Sequence, residues 1–169
     1  MKLSRQILLL VVLLLGFTNA QSQVQSFSNL VVFGDSLSDT GNLLPFSPGS
    51  AYFGRRVTNG PVAVEVLADL LGLPLNNSGH VLTNSNFGNN YAVASARVTT
   101  AGVVDFEPQI DEFVSSFPFG IDDDTLYVIL IGANDLRDAR DLSIQAERTV
   151  KSLIDILEKS YCSSLAPST

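Results

Sequence analysis

The chain has 169 residues, of which 46% are hydrophobic and 16% are charged, a balance that favours one folded domain over a disordered segment. Its formal net charge of −7 and its lack of a basic cluster argue against nucleic acid as a partner. One cysteine, Cys162, and one histidine, His80, are too few for an internal disulfide or a structural zinc site. We expect no cofactor and no bound metal.

The first twenty residues have the features of a secretory signal peptide. Lys2 and Arg5 give a positive start, residues 7–15 form an apolar run, and a small-residue cleavage site follows. This run is too short for a spanning helix. The pattern predicts a leader over 1–20 and a domain over 21–169 that is secreted or periplasmic, with no stable membrane span after cleavage.

The domain begins with its most informative stretch. An apolar run at 30–33 predicts a buried strand, which breaks at Gly34 into a series of small polar residues that includes Ser36. After a loop rich in Pro, Gly and Ser, Pro61 begins a predicted helix that ends at Gly72. The apolar residues of this helix repeat at helical spacing and are Val62, Val66, Leu67 and Leu70.

Two further strands and two helices follow along the chain. A short strand is predicted at 87–93 and ends at Ala94-Ser95, and Pro108 then begins a helix. The apolar face of that helix is predicted to contain Ile110, Phe113, Val114 and Phe117. The strongest strand is 126–131, whose continuous apolar character predicts burial on both faces. The predicted inner stripe of the last helix consists of Ala146, Val150, Leu153, Ile154 and Leu157.

Strands that alternate with helices predict a parallel sheet layered by helices. Right-handed crossovers bring the carboxyl ends of such strands to the same edge, which is where open α/β sheets bind ligands. Ser36, Ser95 and Asn134 each follow a predicted strand, so we expect them to meet there. A nucleotide site is disfavoured, because neither a Gly-x-Gly-x-x-Gly pattern nor a P-loop follows any strand.

A serine hydroxyl at this edge can act as a nucleophile when a base takes its proton and donors stabilise the oxyanion. The sequence offers three candidate donors: the backbone N–H groups of Ser36 and Ser95, and the side-chain amide of Asn134. The candidate catalytic residues are therefore Ser36, Ser95 and Asn134.

These residues lie in three blocks that resemble those of the GDSL (SGNH) esterases and lipases. Residues 34–42 are similar to the first block, 90–96 to the second and 132–135 to the third. Residues 54–62 also resemble a Gly-Arg…Asn-Gly-Pro-Val segment of the lecithinase-like and plant-like branch. The resemblance implies that Ser36 is the nucleophile and that Asn134 is an oxyanion donor.

The same resemblance implies a fold and a function. The fold is a three-layer α/β/α flavodoxin-like sandwich with a parallel sheet. The strand at 87–93 lies on one side of the first strand, and the strand at 126–131 lies on the other. The function is that of a secreted serine hydrolase that acts on carboxylic ester bonds, with a lipid ester or a small acyl ester as substrate.

Two departures from the family pattern bear on that function. Ala94-Ser95 stands where the family usually has Gly-Gly, so a positive φ there would strain a serine. The Asp-x-x-His block that supplies the family's base is not found, and the resemblance covers 29–160. We therefore expect a domain that is incomplete at its C-terminus, with His80 as a surface loop residue. The alternative is a non-catalytic remnant that at most binds acyl or sugar ligands.

Four charged residues near the blocks have two interpretations each. Asp35 can be a catalytic acid, or it can cap backbone N–H groups, and the second interpretation is favoured, as a structural role is for Asp135. Arg55 and Arg56 can bind a substrate phosphate, although a solvated loop is the simpler interpretation. The strand at 126–131 would leave an exposed apolar edge in an incomplete domain, which predicts self-association.

Overall fold

The computed structural model describes the chain in several separate stretches. The described residues are 26–42, 56–79, 81, 88–100, 102–117, 122–137 and 139–164. The predicted leader at 1–20 lies outside the described residues, as do Arg55 and His80. What the sequence indicates for these parts of the chain therefore stays a prediction.

The strand β1 (Asn29–Gly34) has a partner along each of its two edges. On one side it pairs in parallel with β2 (Thr125–Leu130) along its whole length. On the other side, the Val32 N–H donates to the Asn89 carbonyl at 2.9 Å, and the Val32 carbonyl accepts from the Tyr91 N–H at 2.7 Å. The chain at 89–91 therefore runs alongside β1 on the edge opposite β2.

This arrangement confirms the predicted order, with one correction. The segment at 88–93 does not form a regular strand but makes an isolated parallel bridge, between Val32 and Asn90. The start of the predicted strand, Phe87, lies outside the described residues. The side chains of this segment add further hydrogen bonds, since Asn89 donates to the Leu30 carbonyl of β1 and Asn90 donates to the Ser38 carbonyl in the loop that follows β1.

Helices pack on both faces of this sheet. Their bounds in the described residues are α1 (Ala63–Leu71), α2 (Phe106–Ser116), α3 (Ala133–Arg137) and α4 (Leu142–Ser164). Successive side chains of a strand point to opposite faces. Leu30 and Val32 therefore pack with Val64 and Ala68 of α1, whereas Val31 and Phe33 pack with residues of α2 and α4. The result is the predicted three-layer α/β/α arrangement.

An aromatic cluster fills the second of these two faces. The Phe33 ring stacks on the Tyr91 ring at a centroid distance of 5.4 Å and meets the rings of Phe106 and Phe113 edge-on. Phe33, Tyr91 and Phe106 are at most 2% exposed. Aromatic pairs stabilise a core by burying a large apolar area, and their preferred ring orientations add to this stabilisation. This cluster fixes β1 against α2 directly below the serine-bearing loop.

The helix α1 differs from its prediction in which residues it buries. It begins at Ala63, after Pro61, and ends at Gly72, whose φ of 67° is the left-handed conformation that terminates many helices. Val64 and Ala68 face the sheet, whereas Val66 and Leu70 are 47% and 80% exposed. Of the apolar residues at helical spacing, Val62 packs against the core, whereas Val66 and Leu70 face solvent, because the side of α1 that meets the sheet is set by Val64 and Ala68.

The prediction that β2 is buried on both faces is also wrong. Tyr127 and Leu130 are 48% and 42% exposed, and only Thr125 is buried among its residues. Tyr127 still contacts the Phe113 ring edge-on, so one side of this strand does join the aromatic cluster. A continuous apolar run fits either full or partial burial, which is why the run alone does not decide between them.

The inner face of α4 differs from the predicted stripe as well. Of the predicted residues, Leu153 does pack on the aromatic side of the core, together with Ile156, which is not in that stripe, and Thr149 is buried. Val150 and Ile154, by contrast, are 56% and 48% exposed. The helix carries apolar residues on two adjacent faces, so its periodicity fits two orientations. The helices of the described ranges include no span that is long and apolar enough to cross a membrane.

Candidate active site

The loop that carries Ser36 begins where β1 ends, at Gly34. The side chain of Gln109 from α2 holds this glycine at both polar atoms: its Oε1 accepts from the Gly34 N–H and its Nε2 donates to the Gly34 carbonyl, both at 2.9 Å. A side chain at Gly34 would collide with the carbonyl oxygen of Leu130, so this position requires glycine. Ser36 follows in the turn, half-buried at the carboxyl end of β1.

Asp35 caps this turn, which confirms the favoured interpretation of its role. Its Oδ1 accepts from the Leu37 N–H at 3.0 Å. Its Oδ2 is buried and has no hydrogen-bond partner among the described residues. Burial raises the pKa of Asp35 above its ordinary value of 3.8, the Leu37 N–H opposes this, and the charge of Asp135 adds to it.

Two further side chains of the first block bind the Ser36 loop to the second block. The Asp39 carboxylate accepts from the Gly41 and Asn42 N–H groups through Oδ1 at 2.8 and 2.7 Å, and from the Ala94 N–H through Oδ2 at 2.8 Å. The Asn42 amide donates to the carbonyl oxygen of Asn90 at 2.7 Å. Asp39, Asn42 and Asn90 have no exposed surface. The two blocks are therefore joined through buried polar groups.

Ser95 lies in the turn at the end of the second block. Its φ is 72°, which makes it the non-glycine residue with a positive φ in the described chain. The positive φ that would strain a serine in place of the family's glycine is therefore present. Serine adopts this conformation only at a cost in free energy. The Ser95 side chain is exposed, and no described residue accepts a hydrogen bond from its backbone N–H.

Asn134 comes from the third block, on α3, just after β2. It is 7% exposed, and its Nδ2 donates to the Ala96 carbonyl at 2.9 Å. The Arg137 guanidinium donates to the Asn134 Oδ1 at 3.3 Å. One amide proton of Asn134 is thus directed at the second block, one residue past Ser95. The other amide proton has no described acceptor.

The neighbouring Asp135 has a structural role, as predicted. Its carboxylate accepts from the backbone N–H groups of Val98 and Thr99 and from the Thr99 hydroxyl, at distances of 2.6 to 3.2 Å. These bonds hold the loop after the second block against α3. The loops of Ser36, Ser95 and Asn134 are therefore in contact at the carboxyl edge of the sheet, while the catalytic roles of these residues stay predictions.

Arg56 corrects the expectation of a solvated arginine. Its guanidinium donates to both oxygens of Glu65 and also to the Thr40 carbonyl in the serine loop at 3.3 Å. The side chains of Arg56 and Glu65 are 29% and 27% exposed. The hydrogen bond from Arg56 lowers the pKa of Glu65, and Glu65 Oε2 accepts from the Val62 N–H at the start of α1.

Sequence reasoning missed several residues that build the site. Gln109 lies on a helix whose apolar positions dominate its pattern, and its polar side chain is nonetheless buried. The roles of Asp39, Asn42 and Asn90 depend on contacts between distant parts of the chain. A signal existed for Asp39, Asn42 and Asn90 in their membership of the first two blocks, and for Glu65 as an acidic residue three positions after a helix start. Within the described ranges, no group of His, Cys, Asp and Glu residues could hold a metal ion.

The fold and the site together define a class of protein: a three-layer α/β protein whose strand-end loops carry a serine, a strained turn and an amide side chain. Residues 30–164 match the GDSL-like Lipase/Acylhydrolase family, and the chain belongs to this family.

The similar proteins include two GDSL esterase/lipases of Arabidopsis thaliana. One is 38% identical over 113 residues, which is 57% of this chain and 28% of the relative, and the other is 37% identical over 106 residues, which is 53% and 27%. A phosphatidylcholine-sterol acyltransferase of Aeromonas hydrophila is 33% identical over 123 residues, which is 65% of this chain and 33% of that protein. The chain thus spans a third or less of the length of these relatives.

Proposed function

We propose that the chain is the nucleophile-bearing part of a serine hydrolase that acts on carboxylic esters. In this proposal Ser36 is the nucleophile, and the Ser95 N–H and the Asn134 amide are oxyanion donors. The observation that carries the proposal is a pair of buried hydrogen bonds on either side of Ser95. Asp39 binds the Ala94 N–H from the serine loop, and Asn134 binds the Ala96 carbonyl from the third block.

The reaction is a two-step acyl transfer. Ser36 Oγ bonds to the acyl carbon while a base takes its proton, and the carbonyl oxygen becomes an oxyanion held by the donors. The intermediate collapses, the alcohol leaves with a proton, and an acyl-serine remains. Water then attacks the acyl carbon, releasing the acid and regenerating Ser36. The base expected from the resemblance belongs to the Asp-x-x-His block, which has no match in this sequence.

The substrate class that we propose is a lipid ester or a small acyl ester. Support comes from the two Arabidopsis relatives, which are named as esterase/lipases. The Aeromonas relative is named as a phosphatidylcholine-sterol acyltransferase, so an alcohol can replace water as the acceptor in that protein. Transfer of the acyl group to an alcohol is therefore the second candidate activity.

A non-catalytic role, in which the chain at most binds acyl or sugar ligands, is the alternative to both activities. Its support is that no Asp-x-x-His block, which would supply the base, matches in this sequence. Without a base, the oxyanion donors alone leave an acceleration of about 10³–10⁴ over water. We expect such a residual rate from the chain by itself.

Hydrolysis of p-nitrophenyl butyrate tests this proposal. The chain is assayed alone and after fusion to the part of an Arabidopsis relative that follows the region of similarity. We expect slow hydrolysis by the chain, faster hydrolysis by the fusion, and a fall of the fusion to the slow rate in Ser36→Ala. The matched control is Ser115→Ala, which changes an exposed serine of α2. Fast hydrolysis by the fusion that is unchanged by Ser36→Ala would reject the assignment of Ser36.

We also propose that residues 1–20 direct the chain out of the cytoplasm and are then removed. Support comes from the positive start and the apolar run in the sequence. N-terminal sequencing of the exported chain should begin near Gln21. An N-terminus at Met1 in the exported product would contradict the proposed cleavage.

A further inference from the structure

The Asp39 carboxylate occupies an unusual position among the described residues of the site. It has no exposed surface, yet its two oxygens bind backbone N–H groups from two different loops. Oδ1 closes the turn at Gly41 and Asn42 within the serine loop. Oδ2 crosses to the Ala94 N–H, 55 positions further along the chain. This bond joins the Ser36 loop directly to the residue next to Ser95.

The residue next to that bond, Ser95, adopts a backbone conformation that is strained for a serine. Ser95 has a φ of 72°, in the left-handed region that favours glycine. A strained residue stays in such a conformation only when its surroundings hold it there. The Ala94 N–H bond to Asp39 fixes the peptide before Ser95, and the Ala96 N–H bond to the Val93 carbonyl at 3.1 Å closes the turn after it.

The charge of Asp39 has a counterpart close by. The Arg56 guanidinium donates to the carbonyl oxygen of Thr40, the residue that follows Asp39. The pKa of Arg56 is raised, first by its hydrogen bond to Glu65 and further by the charges of Glu65 and Asp39. Hydrogen bonds to an ionised acceptor are stronger than those between neutral groups. An ionised Asp39 can therefore hold the two loops more firmly than a neutral amide would.

We propose that Asp39 is a positioning residue, which holds Ser95 in its left-handed turn through the Ala94 N–H and thereby sets the Ser95 N–H relative to Ser36. The catalytic meaning of this geometry rests on the proposed function, but the geometry itself does not. An asparagine at position 39 has one oxygen and one NH₂ group, so it cannot accept from both loops. Glycine at position 95 adopts a positive φ freely and should no longer need the restraint.

The experiment measures amide hydrogen exchange and backbone chemical shifts by NMR on the whole chain. In the unchanged protein, the Ala94 amide should exchange slowly and the Ser95 amide fast. Asp39→Asn should speed exchange at Ala94 by about tenfold or more, as expected for the loss of one charged acceptor. It should also shift the signals of residue 95 away from those of a positive φ. In the variant Asp39→Asn/Ser95→Gly, the shifts of residue 95 should return to the positive-φ region.

The matched control is Asp105→Asn. Asp105 is also buried and accepts from two backbone N–H groups, those of Arg97 and Gly102, but both of these groups lie outside the serine loop. The control should leave the exchange of Ala94 within about twofold of the unchanged protein. Should Asp39→Asn fail to fold, the exchange rate of Ala94 in the unchanged protein still tests the bond on which the inference depends, since fast exchange would overturn it.

Two results would overturn the inference: fast exchange of Ala94 in the unchanged protein, or an effect of Ser95→Gly that is the same with Asp39 and with Asn at that position. A fluorophosphonate probe provides a second readout, because slower labelling of Ser36 in Asp39→Asn, restored by Ser95→Gly, is not expected from a general loss of stability. The expected NMR results together with no labelling of Ser36 in any variant would support the inference and reject the proposed function.

Discussion

The serine-bearing edge of the sheet and the outer surface, which here means the exposed sides of β2 and of α4, are built in different ways. At the serine edge, Asp39, Asn42 and Asn90 have no exposed surface, and each makes several hydrogen bonds to backbone groups. On the outer surface, Tyr127 and Val150 are apolar side chains about half exposed to solvent. The buried polar groups of the serine edge thus have hydrogen-bond partners. On the outer surface, the described residues leave about half of each of these apolar side chains uncovered.

This difference separates two physical contributions. Polar groups at the serine edge gain little net stability from their bonds, but leaving one unpaired is costly, so they specify one geometry. Apolar groups on the outer surface would gain from burial in proportion to area, without specifying a partner. We therefore expect substitutions at the serine edge to change local structure, and those on the outer surface to change association.

The largest effect is expected from Phe33→Ala, beneath the serine edge. Phe33 is 2% exposed and contacts three other aromatic rings, so its truncation removes buried area and leaves a cavity. The expected loss in the free energy of unfolding is about 3–5 kcal/mol. Urea denaturation followed by circular dichroism measures it. Leu142→Ala is the control, since Leu142 is 63% exposed. Equal losses for both variants would contradict the assignment of the core.

A smaller loss is expected from Gln109→Leu. Leucine has a similar volume but cannot accept from the Gly34 N–H, which would then be buried without an acceptor. The expected loss is about 1–3 kcal/mol. The same denaturation experiment measures it, with Gln145→Leu on α4 as the matched control. If the two leucine variants proved equally stable, the hydrogen bonds from Gln109 to Gly34 would make no measurable contribution to stability.

The outer surface is tested by the double variant Val150→Lys/Ile154→Lys. We expect the unchanged chain to self-associate through its exposed apolar surface, and the variant to associate about tenfold more weakly, since about 1–2 kcal/mol of burial is removed. Sedimentation velocity over a range of concentrations measures this. Glu147→Lys makes the same change in net charge beside these residues, without removing apolar area. An unchanged chain that stays monomeric at high concentration would refute the expectation.

The smallest effect is expected from Asp35→Asn and concerns pH. The pKa of Asp35 is raised in the folded chain, so the folded state holds a proton that the unfolded state releases as the pH rises above about 4. Stability contributed at Asp35 is thus lost with rising pH. Asparagine does not titrate, so it avoids this loss. The free energy of unfolding of Asp35→Asn, relative to that of the unchanged chain, should therefore be higher at pH 7 than at pH 4.

Urea denaturation at the two pH values measures that comparison. Asp123→Asn, which changes an exposed acidic residue, is the control and should show a smaller pH dependence of the difference. If the free energies of unfolding of Asp35→Asn and the unchanged chain differ by the same amount at both pH values, Asp35 has the same pKa in the folded and unfolded states.

The fold was largely predictable from the sequence, because the order of strands and helices and the strand-end blocks are local features. The buried faces of α1 and α4 were not, since Val66 and Val150 lie at apolar positions that fit the period but face solvent. The roles of Gln109 and Asp39 could not be predicted either. Each depends on a bond to a residue far away in the chain, which periodicity and local motifs do not encode.

Labelling with a fluorophosphonate probe, mapped by mass spectrometry, tests the central proposal most directly. We predict that the label appears on Ser36 in preference to other serines, slowly in the chain alone and faster in the fusion with a relative's C-terminal part. Asn134→Ala should slow it by about 10²–10³-fold. A label spread over exposed serines, or fast labelling of Ser36 in the chain alone that persists in His80→Ala, would contradict the account.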